Sequence, residues 1–146
     1  MTATNRYMNT SGWQFTPSGG SAVTLTGITG ASYDEGISTK KEGADFDGFP
    51  TVSVRDYADP KITLETLDAM AFYQILAGAK GVLTGNIRDA YNGVTVGGGG
   101  KSITMSNCQI EGRNFNAPYR DYARQQLVFG AISSDGQTHP VAIAAL

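Results

Sequence analysis

Residues 61–78 read KITLETLDAMAFYQILAG, and two different periodicities stand back to back in them. In the first half Ile62 and Leu64 share one face while Thr63 and Glu65 take the other, which is the clearest strand signal in the chain. In the second half Asp68 fits a helix N-cap and Gly78 fits the glycine stop after a helix. Between them Gln74 is the only strongly polar side chain. A helix over 68–77 is therefore apolar nearly all round and needs burial on several sides. At about ten residues it cannot stand alone, so it must pack on a sheet, with a neighbouring subunit as a further surface that could cover it.

On the N-terminal side the chain also reads as strand and turn. Val23, Leu25 and Gly27 fall on one side and Thr24 and Thr26 on the other, a half-buried strand. The stretch 27–38, GITGASYDEGIS, continues it as the second half of a bent strand. Residues 1–20 are polar and turn-rich and read as an arm, with Trp13 and Phe15 as isolated anchors. Residues 40–60, KKEGADFDGFPTVSVRDYADP, are the least regular stretch, with a short strand at 51–55. A loop of this length is uncommon in a compact domain and usually functional. Its aromatics, Phe46, Phe49 and Tyr57, either fold back on their own domain or meet a partner.

On the C-terminal side strands predominate. Val82 to Arg88 forms one. Ser102 to Ile110 starts with Ile103 and Met105 on one face and shifts to Cys108 and Ile110 on the other, a change of phase that marks a bulge. A helix over 119–129 competes with a strand from Arg124; the run Leu127, Val128, Phe129, Ile132 into SSDG favours the strand. Asp135-Gly136 is a hairpin signal, with Val141 and Ile143 in the returning arm. The inventory is six to eight strands, one short helix and long turns, a mainly β domain.

Composition agrees. The chain has 146 residues, enough for one domain with a real core. Charged residues make up 16 %, below the usual quarter or so, and 19 glycines take up much of the difference. The formal charge of −2 gives no basic footprint for tight nucleic-acid binding. Lys40-Lys41 is followed at once by Glu42 and reads as a solvated strand end. No apolar run reaches signal-peptide or membrane-span length, so the chain is expected to be made in the cytoplasm and to stay soluble.

No catalytic, cofactor or metal constellation stands out. Gly100-Lys101-Ser102 fits the end of a phosphate-binding loop, but Thr95 holds the place of its first glycine, and ITMSNCQI after it is strand-like, not a helix start. The DFDG at 45–48 fails as a calcium loop, because Pro50 and Asp56 fill the places that need glycine and glutamate. His139 is the only histidine and reads as an edge residue. Cys108 is the only cysteine, so it can form no internal disulfide. No G-x-S-x-G elbow occurs.

The order of these elements resembles the tail tube proteins of long-tailed bacteriophages and their relatives in contractile injection machines. It runs from bent strand, long charged loop, ITLETLD and the apolar helix AMAFYQILAG to KSITMSNCQIEG and QQLVFGAISSDGQTHPVAIAAL. The resemblance spans residue 20 to the end and is one of order and texture. It implies two packed antiparallel sheets, sandwich- or barrel-like, in a single domain over 21–146 with the helix at the side. It implies six copies joined into a ring, rings stacked into a hollow tube, and DNA sliding through the lumen without specific binding. Phe46, Phe49 and Tyr57 would reach the next ring, and Phe72, Tyr73 and Leu76 of the helix would lie at the subunit boundary. Tape measure, sheath, tail terminator and baseplate hub are the implied partners, and the virion tail the implied location. The rivals are the inner tube of a secretion machine, a monomeric carbohydrate-binding or adhesion sandwich, and a small hydrolase.

Overall fold

The computed structural model describes residues 9–55, 57–68, 75–76, 78–88, 90–91, 94–95 and 100–145. Twelve strands occupy them: β1 Asn9–Pro17, β2 Val23–Thr24, β3 Ile28–Asp34, β4 Thr39–Glu42, β5 Val52–Arg55, β6 Lys61–Thr66, β7 Gly81–Arg88, β8 Ala90–Tyr91, β9 Val94–Thr95, β10 Lys101–Asn116, β11 Arg124–Ala131 and β12 Val141–Ala145. All pairings are antiparallel. Apart from the small ribbons β4–β5 and β8–β9, the ladder runs β2-β1-β7-β10-β11-β6-β3, with β12 also on β10.

The fold turns on β10. Its first part, 101–105, pairs with β7 and β12; its second part, 108–116, pairs with β11. Between Met105 and Cys108 the register slips and Asn107 takes φ 51, so the strand bends where the change of side-chain phase placed a bulge. The bend separates two layers. One holds β2, β1, β7, the first part of β10, and β12; the other holds the second part of β10, β11, β6 and β3. The core lies between them: Trp13, Phe15, Leu25, Ile62, Leu64, Leu83, Met105, Leu127 and Phe129 are buried in one cluster. Phe15 and Phe129 stack from opposite layers at 5.6 Å between ring centroids. Each such side chain contributes about 1.5–3 kcal/mol on leaving water.

Four expectations are corrected. Within the segment read as an arm, residues 9–17 are β1, with Trp13 and Phe15 in the core. The bent strand at 21–38 is two strands: Gly27 at φ 69 lets the chain cross from β1 in one layer to β6 in the other. Leu25 N–H still donates to Trp13 O, and Leu67 N–H to Gly27 O, as it crosses. The loop at 40–60 holds most of a second strand, β4, paired with β5, which falls within the strand expected at 51–55. Finally, the Asp-Gly turn exists but makes no hairpin. Asp135 accepts bonds from Gln137 N–H, Thr138 N–H and the Thr138 and Ser133 hydroxyls, which hold its carboxyl well below the usual range. This capped loop carries the chain over to β10, where Pro140 O receives Ser106 N–H, so β12 pairs with β10 and not β11. The helix expected over 68–77 falls largely outside the described residues; Ile75 is buried and Gly78 takes φ 85.

Two buried polar groups differ in their satisfaction. Cys108 Sγ donates to Gly81 O at 3.3 Å, and burial pushes the thiol up to about 11. Gln125, 2 % exposed on the core face of β11, has neither its amide oxygen nor its amide nitrogen hydrogen-bonded among the described residues. An unpaired buried amide costs about 1–3 kcal/mol. Replacing Gln125 by Met keeps the volume and removes that cost. The variant should raise the denaturation midpoint by an amount equivalent to about 1–2 kcal/mol in a urea titration.

Candidate assembly interface

Between β3 and β6 the chain leaves the body as a two-stranded ribbon. Thr39 pairs with Arg55, Lys40 with Val54, Lys41 with Ser53 and Glu42 with Val52. Every residue from 37 to 54 is exposed. Val52 and Val54 lie on one face, bare of any neighbour strand. At the base Asp59 N–H reaches Gly36 O, and Gly36 N–H reaches the Asp34 carboxylate at 2.9 Å. At the tip a turn over 44–47 closes with Asp47 N–H on Ala44 O, while Asp47 Oδ2 takes Ala44 N–H at 2.7 Å. Its third residue is Phe46 at φ 72, a place that usually belongs to glycine. The Phe46 ring stands wholly in solvent.

The sequence-predicted residues do not form one cluster. Phe46 and Phe49 sit at the tip and Tyr57 at the base, all exposed. Leu76 is exposed elsewhere, beside a small apolar hollow of about 120 Å³ formed with Phe15, Pro17, Val23 and Ala79. Phe72 and Tyr73 lie outside the described residues.

A second aromatic group was not anticipated. Phe115, Tyr119 and Tyr122 are exposed around the connection from β10 to β11. Arg120, at φ 61, holds its guanidinium 5.1 Å from the Tyr119 ring centre. The register puts this connection at the end of the β3-β6-β11-β10 layer opposite the ribbon. Asp34, Lys61, Gly130 and Cys108 mark the ribbon end; Ile28, Thr66, Gln125 and Asn116 mark the other. The signal in the sequence was the run NFNAPYRDYAR, three aromatics among polar residues.

Both margins of that layer lack a partner strand among the described residues. β3 pairs only with β6, and β10 beyond Cys108 pairs only with β11. In the other layer Ile143, on the core-side face opposite Ile103, stays largely exposed at the border. Bare margins of this kind are templates for another chain. At the ribbon end His139 ties the two layers' borders together. Val141 N–H donates to its Nδ1 at 3.0 Å, which leaves Nε2–H for the Glu35 carboxylate. Tyr33 Oη lies 3.5 Å from the same nitrogen, its phenol raised by burial and by Glu35. A cleft of about 480 Å³ opens beside it, with Tyr57, Asp59, Ile132 and Pro140 on its walls.

Unpaired margins among the described residues, a ribbon that stands out from the body and exposed aromatics at both poles mark this layer as the candidate interface. The fold also occurs in solved proteins. It is shared with Hcp1 from Flavobacterium johnsoniae at TM-score 0.53 and 10 % identity, over 92 % of this chain and 96 % of that one. It is shared with a chain of the anti-feeding prophage tube-terminating cap at TM-score 0.53 and 17 % identity, over 100 % and 96 %. A chain of the sheath–tube complex of an extracellular contractile injection system, PVC, matches at TM-score 0.50 and 13 % identity, over 92 % and 88 %. The fold is thus that of injection-system tube proteins. No protein-family model and no curated protein sequence matches the chain.

Proposed function

We propose that the chain is a structural tube subunit whose copies close into hexameric rings, stacked into a hollow conduit. The observation that carries this is the pair of bare margins on one four-stranded layer. Strand direction alternates from β3 through β6 and β11 to β10. Copies related by rotation about an axis along the strands therefore bring β3 beside 109–116 of the next copy, antiparallel again. Closure removes both edges. The second layer then lies outside, because inside it would plug the bore. The lumen is lined by the exposed face carrying Gly30, Ser32, Thr63, Glu65 and Gln126. Small polar side chains of both signs there, among them Lys61 with Glu111 at 3.6 Å, give cargo little to grip.

Two cargo readings follow. In a phage tail the conduit passes DNA into a host, with tape measure, sheath, terminator and baseplate as partners. In an injection apparatus it carries effectors, and the shared fold with Hcp1 and injection-system chains favours this second setting. The test is the purified full-length chain in sedimentation velocity and negative-stain microscopy. Six-membered rings and tubes are expected; a monomer that persists at high concentration overturns the proposal.

A further inference from the structure

We infer that His139 is an acid-sensitive cap on the free edge of β12: the neutral ring covers the strand's first outward donor, and the protonated ring gives that donor up while keeping Glu35. The device belongs to the single chain and operates whether or not rings form. β12 lies at a border, paired with β10 alone among the described residues. Pro140 O accepts from Ser106 N–H of β10 at 2.8 Å. In a trans peptide the C=O and the N–H point opposite ways. Val141 N–H therefore points away from β10, out over the bare edge. His139 Nδ1 receives it there at 3.0 Å. An uncovered N–H on such an edge is what an incoming strand pairs with.

A neutral imidazole has one donor and one acceptor, and both are engaged here. Nδ1 accepts from Val141, and Nε2–H faces the Glu35 carboxylate just past β3. A second proton has only Nδ1 to go to. Two N–H groups then confront each other, and the Val141 bond is lost. On the other side nothing is lost, because Nε2–H keeps Glu35 and gains opposite charge. The ring therefore stays with Glu35, and the short turn through Pro140 gives way. The neighbouring groups do not take over this role. Tyr33 Oη lies 3.5 Å from Nε2, and its phenol is raised by burial and by Glu35 and Asp34, so it stays neutral. Asp135, on the same loop, is held well below the usual range by its own donors and stays charged in mild acid. Asp59 stands on the facing wall of the cleft, 3.7 Å from Lys61. Histidine is the side chain whose charge ordinarily changes between about pH 5 and 8.

The test is amide hydrogen exchange on the full-length chain, resolved by residue and corrected for the intrinsic rate at each pH. At about pH 8 Val141 N–H should be protected, and nitrogen NMR of the imidazole should place its one proton on Nε2. At about pH 5 the protection of Val141 should fall about fivefold or more, the worth of one modest hydrogen bond. Leu64 and Leu127, buried in the other layer, should keep theirs. His139→Asn supplies a cap that does not titrate, since an Asn side-chain oxygen accepts the N–H two residues on. That variant should hold Val141 protection to within about twofold between the two conditions. A proton on Nδ1 in the alkaline sample, or equal Val141 protection in acid and alkali, overturns the cap. So does an acid response that survives in His139→Asn, or a parallel loss at Leu64 and Leu127, which would mean that the whole fold opens. None of these outcomes touches the tube reading, whose own test is ring formation.

Discussion

Gly85→Ala is expected to lower the stability of the folded chain by about 3 kcal/mol, at the upper end of overpacking costs. A β-carbon at Gly85 would sit 2.3 Å from Trp13 Cδ2. The indole has nowhere to go. It is 1 % exposed, and its Nε1–H donates to Thr10 Oγ1 at 2.7 Å, while that hydroxyl donates to Asn86 O at 2.9 Å. Trp13 is thus held flat on β7 through its Nε1–H, directly over Gly85, which has no side chain. Gly130→Ala is the control. Its nearest obstacle is also close, at 2.1 Å, but it is the carboxyl end of Glu111. That end swings into solvent at the loss of a partly exposed ion pair with Lys61, worth about 0–1 kcal/mol. At about 2–4 °C per kcal/mol for a chain of this size, the two variants should melt some 5–10 °C apart in a calorimeter. Equal melting would mean that the Trp13 site is soft and that β1 is not locked into the core.

The reason β1 escaped the sequence reading lies in the same residues. Trp13 and Phe15 alternate with Gln14, which is a strand signal, but it lasts three residues and is flanked by Gly, Ser and Thr. Only the tertiary contact with Gly85 and Phe129 turns two anchors into a core strand. β4 was illegible for a different reason. Thr39-Lys40-Lys41-Glu42 buries nothing, so it leaves no hydrophobic period; its pairing with β5 is the whole of its structure. By contrast β6, β7, β10 and β11 each bury alternate residues, and alternation is what a sequence displays. Even the bend in β10 was legible, because Met105 and Cys108 face the same core three positions apart. The partner of β12 was not, because a turn fixes where a chain reverses and not which layer receives it. For the interface the aromatic types could be read at the ribbon. Their division between two poles depends on strand register, which no local pattern carries.

Removing residues 38–57 and joining Ile37 to Ala58 through two glycines should leave the body folded and abolish tubes. The base is already closed, since Asp59 N–H meets Gly36 O at 3.3 Å, so a short link spans the gap without moving β3 or β6. None of the excised residues that the structure describes belongs to the core cluster. Shortening the connection from about twenty residues to a few lowers the entropy cost of closing it by about 1–2 kcal/mol, so the unfolding midpoint should hold or rise. Assembly should respond in the opposite sense. In the proposed ring six ribbons act together, and losing linked contacts multiplies their individual costs. The tube threshold should then rise by at least on the order of 1,000-fold, while single rings, closed by β3 and β10, survive. Rings that persist without tubes separate the two kinds of contact: strand margins closing the circle, ribbons setting the axis. Tubes that still form would show that stacking is driven elsewhere on the ring face. A body that unfolds would mean that the ribbon, bare as it is, belongs to the monomer.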